Sequence, residues 1–342
     1  MRELKILAVV IVLTLITYWG VEPFAHSQMH PHVSPANFNF AAADKDSAKE
    51  GIEKAEKALS EAEKAGVEKA IHSAKTDLEA KKTFEKEIND FWASNEESIK
   101  ATGDVANGET LVTTNCTACH SIESKGFPQI MDNASAGAAY GVTPPDLGTA
   151  GKLYTKEYLV AFVKNPALAS KTSHKFVDGK VHPMPGYDWM PAQDVADIVA
   201  YLQSIAPKEM TNKEVFHDAC QRCHDIKYAD MKGKTMSSFT AHSDIKAYMG
   251  KLPPDLSQYI RSRGHEYLET FVNDPQKQLE GTAMPRVGLS EESQKQVISY
   301  LEEVGDSKKV QREELGPKFL IYLVVFAIFA FLWKASKWRD VH

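Results

Sequence analysis

Cys116-Thr117-Ala118-Cys119-His120 and Cys220-Gln221-Arg222-Cys223-His224 repeat one pattern, Cys-x-x-Cys-His, and together they use all 4 cysteines of the chain. Two thiols one helical turn apart can each bond one vinyl group of the same porphyrin, while the imidazole that follows reaches the iron from one side. The pattern predicts two covalently bound haem c groups, attached through Cys116, Cys119, Cys220 and Cys223, with His120 and His224 as proximal iron ligands. A zinc ribbon separates its cysteine pairs by about 15 to 20 residues, far less than the stretch between Cys119 and Cys220. A redox dithiol gives no reason for a histidine directly after both pairs.

Iron that only carries electrons needs a sixth ligand. Met184-Pro185 and Met284-Pro285 recur in matching places, and proline stiffens a loop that would present the sulfur. Met184 and Met284 are therefore the expected distal ligands. In the first half Met190, also followed by proline, stays open as an alternative, with His182 and His174 behind it. Thioether ligation raises the iron potential relative to two histidines, and a closed coordination shell favours electron transfer over peroxidase chemistry.

The elements that must position these residues are also duplicated. Pro144-Pro145-Asp146-Leu147 answers Pro253-Pro254-Asp255-Leu256, Tyr158-Leu159 answers Tyr267-Leu268, and Tyr201-Leu202 answers Tyr300-Leu301. Such internal similarity marks two modules, 101–206 and 207–306, each reading helix, haem motif, loop, helix, methionine loop, helix. Pro166 and Pro275 are expected to stop the middle helices, and 193–204 and 291–303 carry apolar residues at helical spacing.

Ahead of them, 44–95 is rich in Ala, Lys and Glu, with Ile52, Ala55, Leu59 and Ala62 forming a narrow apolar seam that Ile71, Ala74 and Leu78 continue after Gly66. One long helix and a hairpin bending near Gly66 both fit.

The two ends are apolar: ILAVVIVLTLITYWGV at 6–21 and FLIYLVVFAIFAFLW at 319–333. Segments 1–25 and 317–336 are expected to be membrane helices, with interfacial Trp19, Trp333 and Trp338 making up for short runs. Lys334, Lys337 and Arg339 place the C-terminus in the cytoplasm, and Arg2 and Lys5 place the N-terminus there too, leaving the middle exported. The first segment also reads as a secretory signal, so a retained anchor and a cleaved leader both stay open. Residues 44–306 carry 41 acidic against 31 basic side chains, net −10, a surface suited to a basic soluble partner. No basic aromatic patch points to nucleic acid. The class expected is all-α: two tandem modules, a long N-terminal helical segment and membrane helices at both ends.

Residues 101–305 resemble class I c-type cytochromes, in which a few helices wrap one haem and a loop methionine is the distal ligand. Leu252-Pro253-Pro254-Asp255-Leu256-Ser257 with Ile260, Arg261, Arg263 and Tyr267 resembles a segment of cytochrome c1, the haem subunit of the quinol:cytochrome c reductase (cytochrome bc) complex. That family also ends in one membrane helix with a short basic tail. Ordinary cytochrome c1 has one haem and no long Ala-Lys-Glu helix, and the resemblance is closer to the di-haem c1-type subunits of certain bacterial bc complexes, notably of the epsilonproteobacterial kind. It implies that Arg261 or Arg263 pairs with a haem propionate. It also implies cytochrome b and Rieske iron-sulfur subunits as partners, a soluble or oxidase-bound cytochrome c as acceptor, and a place in the bacterial cytoplasmic membrane with the haem domains in the periplasm. On this reading the polypeptide performs no bond chemistry of its own. The haem subunit of a terminal oxidase or of a periplasmic dehydrogenase is the competing expectation, and a di-haem peroxidase the more distant one.

Overall fold

The computed structural model describes residues 2–29, 34–177, 179–230 and 241–339; Met1, the start of the expected 1–25 segment, lies outside them. Among the described residues every regular element is helical, apart from two isolated bridges. The all-α expectation is met.

The charged N-terminal segment is a hairpin of two helices, Phe40–Ala65 and Glu68–Lys100. Asn39 starts the first by accepting from the Ala42 amide at 3.0 Å. Gly66 ends it in the left-handed region, φ 70°, where a side chain would be strained, and its amide returns to the Ala62 and Glu63 carbonyls. The helices run from Phe40 to Lys100, wider than the 44–95 read from composition, because the caps sit outside the charged stretch. Of the seam, Ala55 and Leu78 are buried and Ile52, Leu59, Ala62, Ile71 and Ala74 are half-buried. Beyond it, Phe40, Ile88, Phe91 and Trp92 pack with Tyr158, Ala161, Leu168 and Ala169 of the first module. The hairpin is thus part of the core rather than a solvated spacer.

In the first module Val105–Asn115 leads to the haem motif and crosses the closing helix Ala192–Ile205. The buried Asp197 carboxylate ties the crossing, accepting from the Asp104 amide, Asn107 Nδ2 and Gln193 Nε2, each at 2.7 Å. In the second module Asn212–Cys220 crosses Glu291–Gly305, started by a Thr211/Glu214 capping box and joined by Phe216 against Tyr300 at 5.2 Å. The middle helices, Lys156–Lys164 and His265–Asn273, stop as expected. Pro166 and Pro275 each open a further short helix, capped by Asn165 and Asp274.

The modules share a boundary. Tyr154 packs against the cores of both, the Ser290 amide donates to the Leu153 carbonyl at 2.8 Å, and Thr149 Oγ1 donates to Asp218 at 2.8 Å. At one corner the hairpin and both modules meet in a buried cluster of Asp44, Arg286, Asp274 and Lys171.

Two helices, Leu4–Ala25 and Lys309–Arg339, are long and apolar enough to cross a membrane, and their apolar stretches are wholly unburied. The second extends well past 317–336. Its polar first turns continue the helix because Arg312 grips Asp306 with both nitrogens, at 2.8 and 2.7 Å, and Lys309 pairs with Glu302.

Burial pushes the Asp274 carboxyl up, but Arg286 and Lys171 more than reverse this and hold it below the usual 3.8. A depressed carboxylate contributes stability that is present above the unfolded value and lost as pH falls through the folded one. Thermal melts recorded as pH falls below 3.8 are therefore expected to show a steep loss of stability, and Asp274→Asn, less stable at neutral pH, is expected to show a shallower one.

Candidate functional site

Both Cys-x-x-Cys-His motifs form one tight turn at the end of a helix. Cys119 and His120 donate their amides to the Cys116 carbonyl at 3.1 and 2.9 Å, and Cys223 and His224 donate to Cys220 at 3.1 and 3.0 Å. All four thiols are free. Burial, reinforced by the partner thiol, pushes Cys116 up to about 11 and Cys220 up to about 12; burial raises Cys223 as well. Each pair of thiols shares one turn, as attachment of one porphyrin through both requires. Among the described residues no three His, Cys, Asp or Glu side chains converge as metal ligands would.

The duplicated Pro-Pro-Asp-Leu segments position the histidines. His120 Nδ1 lies 2.8 Å from the Pro145 carbonyl, and His224 Nδ1 lies 2.9 Å from that of Pro254. The bond assigns the proton to Nδ1 and leaves Nε2 as the nitrogen available to iron. Each segment is pinned to its motif: Leu147 donates to the Ser121 carbonyl and Leu256 to that of Asp225, both at 2.9 Å. Asp146 and Asp255 close the turns, accepting from Gly148 at 2.7 Å and Ser257 at 2.8 Å. Burial lowers the affinity of both imidazoles for a second proton, and the proline carbonyls only partly offset this. Neutral imidazole is the form that binds iron. Paired thiols on one turn, neutral imidazoles and a fixed tautomer fit haem c at both motifs.

Met184 and Met284 occupy equivalent half-buried loop positions ahead of the closing helices. Met190 differs from them. It is 5% exposed within the first core, directly before Pro191, the residue that begins the closing helix. Leu289, 2% exposed, holds the same place before Ser290 in the second module. His182 turns its Nδ1 to the backbone of Met184, 3.1 Å from the amide, and lies edge-on to Phe176 at 5.0 Å. His174 sits on a short turn, Ser173–Lys175.

The two arginines of the Pro-Pro-Asp-Leu-Ser segment are exposed. Arg261 lines a groove of about 260 Å³ at the foot of the C-terminal helix, with His265, Asp306 and Arg312, and Arg263 stacks over Tyr267 at 5.5 Å. Two other cations, which the sequence did not single out, stand by the haem motifs. Arg222, inside the second motif, hydrogen-bonds Tyr154 of the first module and lies in electrostatic range of His120; its Nε is buried without a partner. Lys175 of the first module reaches Met249 Sδ at 3.2 Å and the Tyr248 ring at 4.5 Å, in range of Cys223. Each module therefore lends a cation to the other's motif. Nothing in a residue's place within Cys-x-x-Cys-His announces such a role.

A family model described as cytochrome c matches the chain twice, over residues 105–206 and 211–305. No curated protein and no solved structure matches.

Because Met190 and Leu289 are equivalent core positions, Met190→Leu is expected to cost less than about 1.5 kcal/mol. Chemical denaturation checks the cost, and the absorption spectrum is expected to stay unchanged.

Proposed function

The chain belongs to the cytochrome c family, and from that premise we propose that it is a membrane-anchored di-haem carrier of the c1 type. It would accept electrons from a Rieske iron-sulfur protein beside a cytochrome b subunit and pass them to a soluble or oxidase-bound cytochrome c. Bound haem c supplies a one-electron iron couple. The residues of this chain hold and tune it: Cys116 with Cys119 and Cys220 with Cys223 make the thioether bonds, His120 and His224 are the proximal ligands, and Met184 and Met284 are the distal ones. Of the basic residues, Arg222 has the buried, unpartnered donor suited to a propionate, whereas Arg261 and Arg263 meet Asp306 and Tyr267.

The observation that carries this reading is the joint between the second module and the C-terminal apolar helix. Only Asp306 to Lys308 separate the helices, and the Arg312–Asp306 and Lys309–Glu302 pairs brace the corner. A module fixed to a membrane helix in this way suits a membrane-bound donor. We therefore assign the second module to receive electrons and the first to extend their reach toward an acceptor, for which the acidic exported surface favours a basic partner. Purifying the native assembly tests the setting: cytochrome b and Rieske subunits are expected, and copper-haem oxidase subunits would favour the competing oxidase reading.

Two haems per chain are expected from pyridine haemochrome assay against protein concentration. Met184→His and Met284→His are each expected to lower the potential of their own haem and to remove its share of the sulfur-to-iron absorption band. Redox titration and visible spectra read both effects, and an unchanged Met184→His spectrum would move that ligand to Met190 or a histidine.

A further inference from the structure

The two methionine loops are supported in different ways. In the first module the ties are local: His182 holds the Met184 backbone, Tyr187 donates its amide to the Val163 carbonyl and its hydroxyl to the Asn115 carbonyl, each at 3.0 Å. Gly186, two residues after Met184, lies so close to the Lys164 carbonyl that an added Cβ would stand 2.7 Å from it. The second module has Arg286 at that position. Met284 donates its amide to Thr282 Oγ1 at 3.4 Å, and Gln276 of the same module holds the turn before it, donating Nε2 to the Thr282 carbonyl at 2.6 Å and accepting from the Gly281 amide at 3.0 Å.

Arg286 is 1% exposed and is held from three parts of the chain. Asp44 of the N-terminal hairpin takes both terminal nitrogens, one of them at 2.9 Å. Asp274 of its own module accepts at 3.3 Å. From the first module, the Ser170 carbonyl accepts the Arg286 amide at 2.9 Å and the Tyr158 hydroxyl donates to the Arg286 carbonyl at 2.7 Å. Asp44 is fixed in turn by Trp92 Nε1 at 3.1 Å and by Lys171 at 3.2 Å. Pro285 restricts the backbone between Arg286 and Met284, so anchoring the arginine anchors the sulfur-bearing residue.

We propose that Asp44 is a positioning residue for Met284, and that the N-terminal hairpin serves as a clamp holding the second module's methionine loop closed. The inference rests on Met284 being the distal ligand. Removing the Asp44 charge frees Arg286 from the hairpin, and the loop opens more often, which lets an external ligand reach the ferric iron.

The test uses the full-length protein extracted from membranes, in a Met184→His background, where the remaining sulfur-to-iron band reports the second module alone. Asp44→Asn is expected to weaken that band, to lower the second haem's potential, and to speed imidazole binding to it by about tenfold or more, the factor equivalent to about 1.4 kcal/mol. Trp92→Phe, which removes one bond to Asp44 but keeps every charge, is expected to act in the same direction to a smaller extent. The first haem's potential and the far-ultraviolet circular dichroism are expected to stay unchanged. If Met284→His on this background leaves the band, the ligand reading fails and the inference falls with it. If Met284→His removes the band but Asp44→Asn and Trp92→Phe keep native band, potential and imidazole rate, the inference alone is overturned. It is also overturned if both haems respond together, because the hairpin would then be a general support.

Discussion

Asp44 and Arg286 are 242 residues apart in sequence and share one buried ion pair, which joins the N-terminal hairpin to the methionine loop of the second module. Two charges removed from water cost more than their attraction returns unless the geometry is good and their remaining hydrogen-bonding capacity is met. Here two cations, Arg286 and Lys171, face two carboxylates, Asp44 and Asp274, so the cluster is neutral as a whole. Trp92 supplies a further donor and the Phe40 ring lies 5.0 Å from the guanidinium carbon, while Arg286 Nε is buried with no partner among the described residues. Removing any one member leaves a buried charge without its counterpart, and such a loss costs about 3 to 5 kcal/mol. A cluster built from three segments makes them interdependent: the hairpin cannot leave without stranding Arg286, and the modules cannot part without stranding Lys171 or Asp274.

That interdependence bears on electron transfer because it fixes the boundary between the two modules that carry the haem motifs. Arg222 lies in electrostatic range of His120 and Lys175 in range of Cys223, so each motif has a cation of the other module close to it. A flexible tether between modules would leave the separation of the two sites to diffusion. The Tyr154 contact with both cores, the Ser290 bond to Leu153 and the Lys171–Asp274 pair at 2.6 Å leave little room for that.

Much of this was legible in the sequence, because attachment chemistry is local. Cys-x-x-Cys-His needs five consecutive residues, and the helix stops at Pro166 and Pro275 follow from one missing amide each. Repetition of Pro-Pro-Asp-Leu marked a shared element, although its work, a carbonyl offered to Nδ1, appears only when the chain folds back 25 or 30 residues. The place of Met190 could have been read from its register with Leu289, since both directly precede the residue that starts a closing helix. Asp44, Arg286, Arg222 and Lys175 were not legible. Their partners lie in other segments, and a charged residue on a helix rich in Lys and Glu looks like any other until one neighbour is found to be buried. The hairpin over a single long helix was likewise decided by the backbone at Gly66, whose left-handed φ no seam of apolar residues encodes.

The modules are therefore similar in sequence pattern but unequal in mechanical support. The first closes its methionine loop with its own residues. The second is tied through Arg286 to the hairpin and to the first module as well, and it is also the one braced to the C-terminal helix through Arg312 and Lys309. From Lys309 to Phe319 that helix rises about 15 Å, past Pro317 inside it, before its apolar stretch begins. On the proposed reading, a short braced joint of this kind limits the distances over which a membrane-bound donor must search. The same rigidity would be a liability if the loop had to yield whenever the joint was pushed. Tying the loop to the hairpin, and the hairpin to the first module, gives the second iron site a support that does not run through the C-terminal helix.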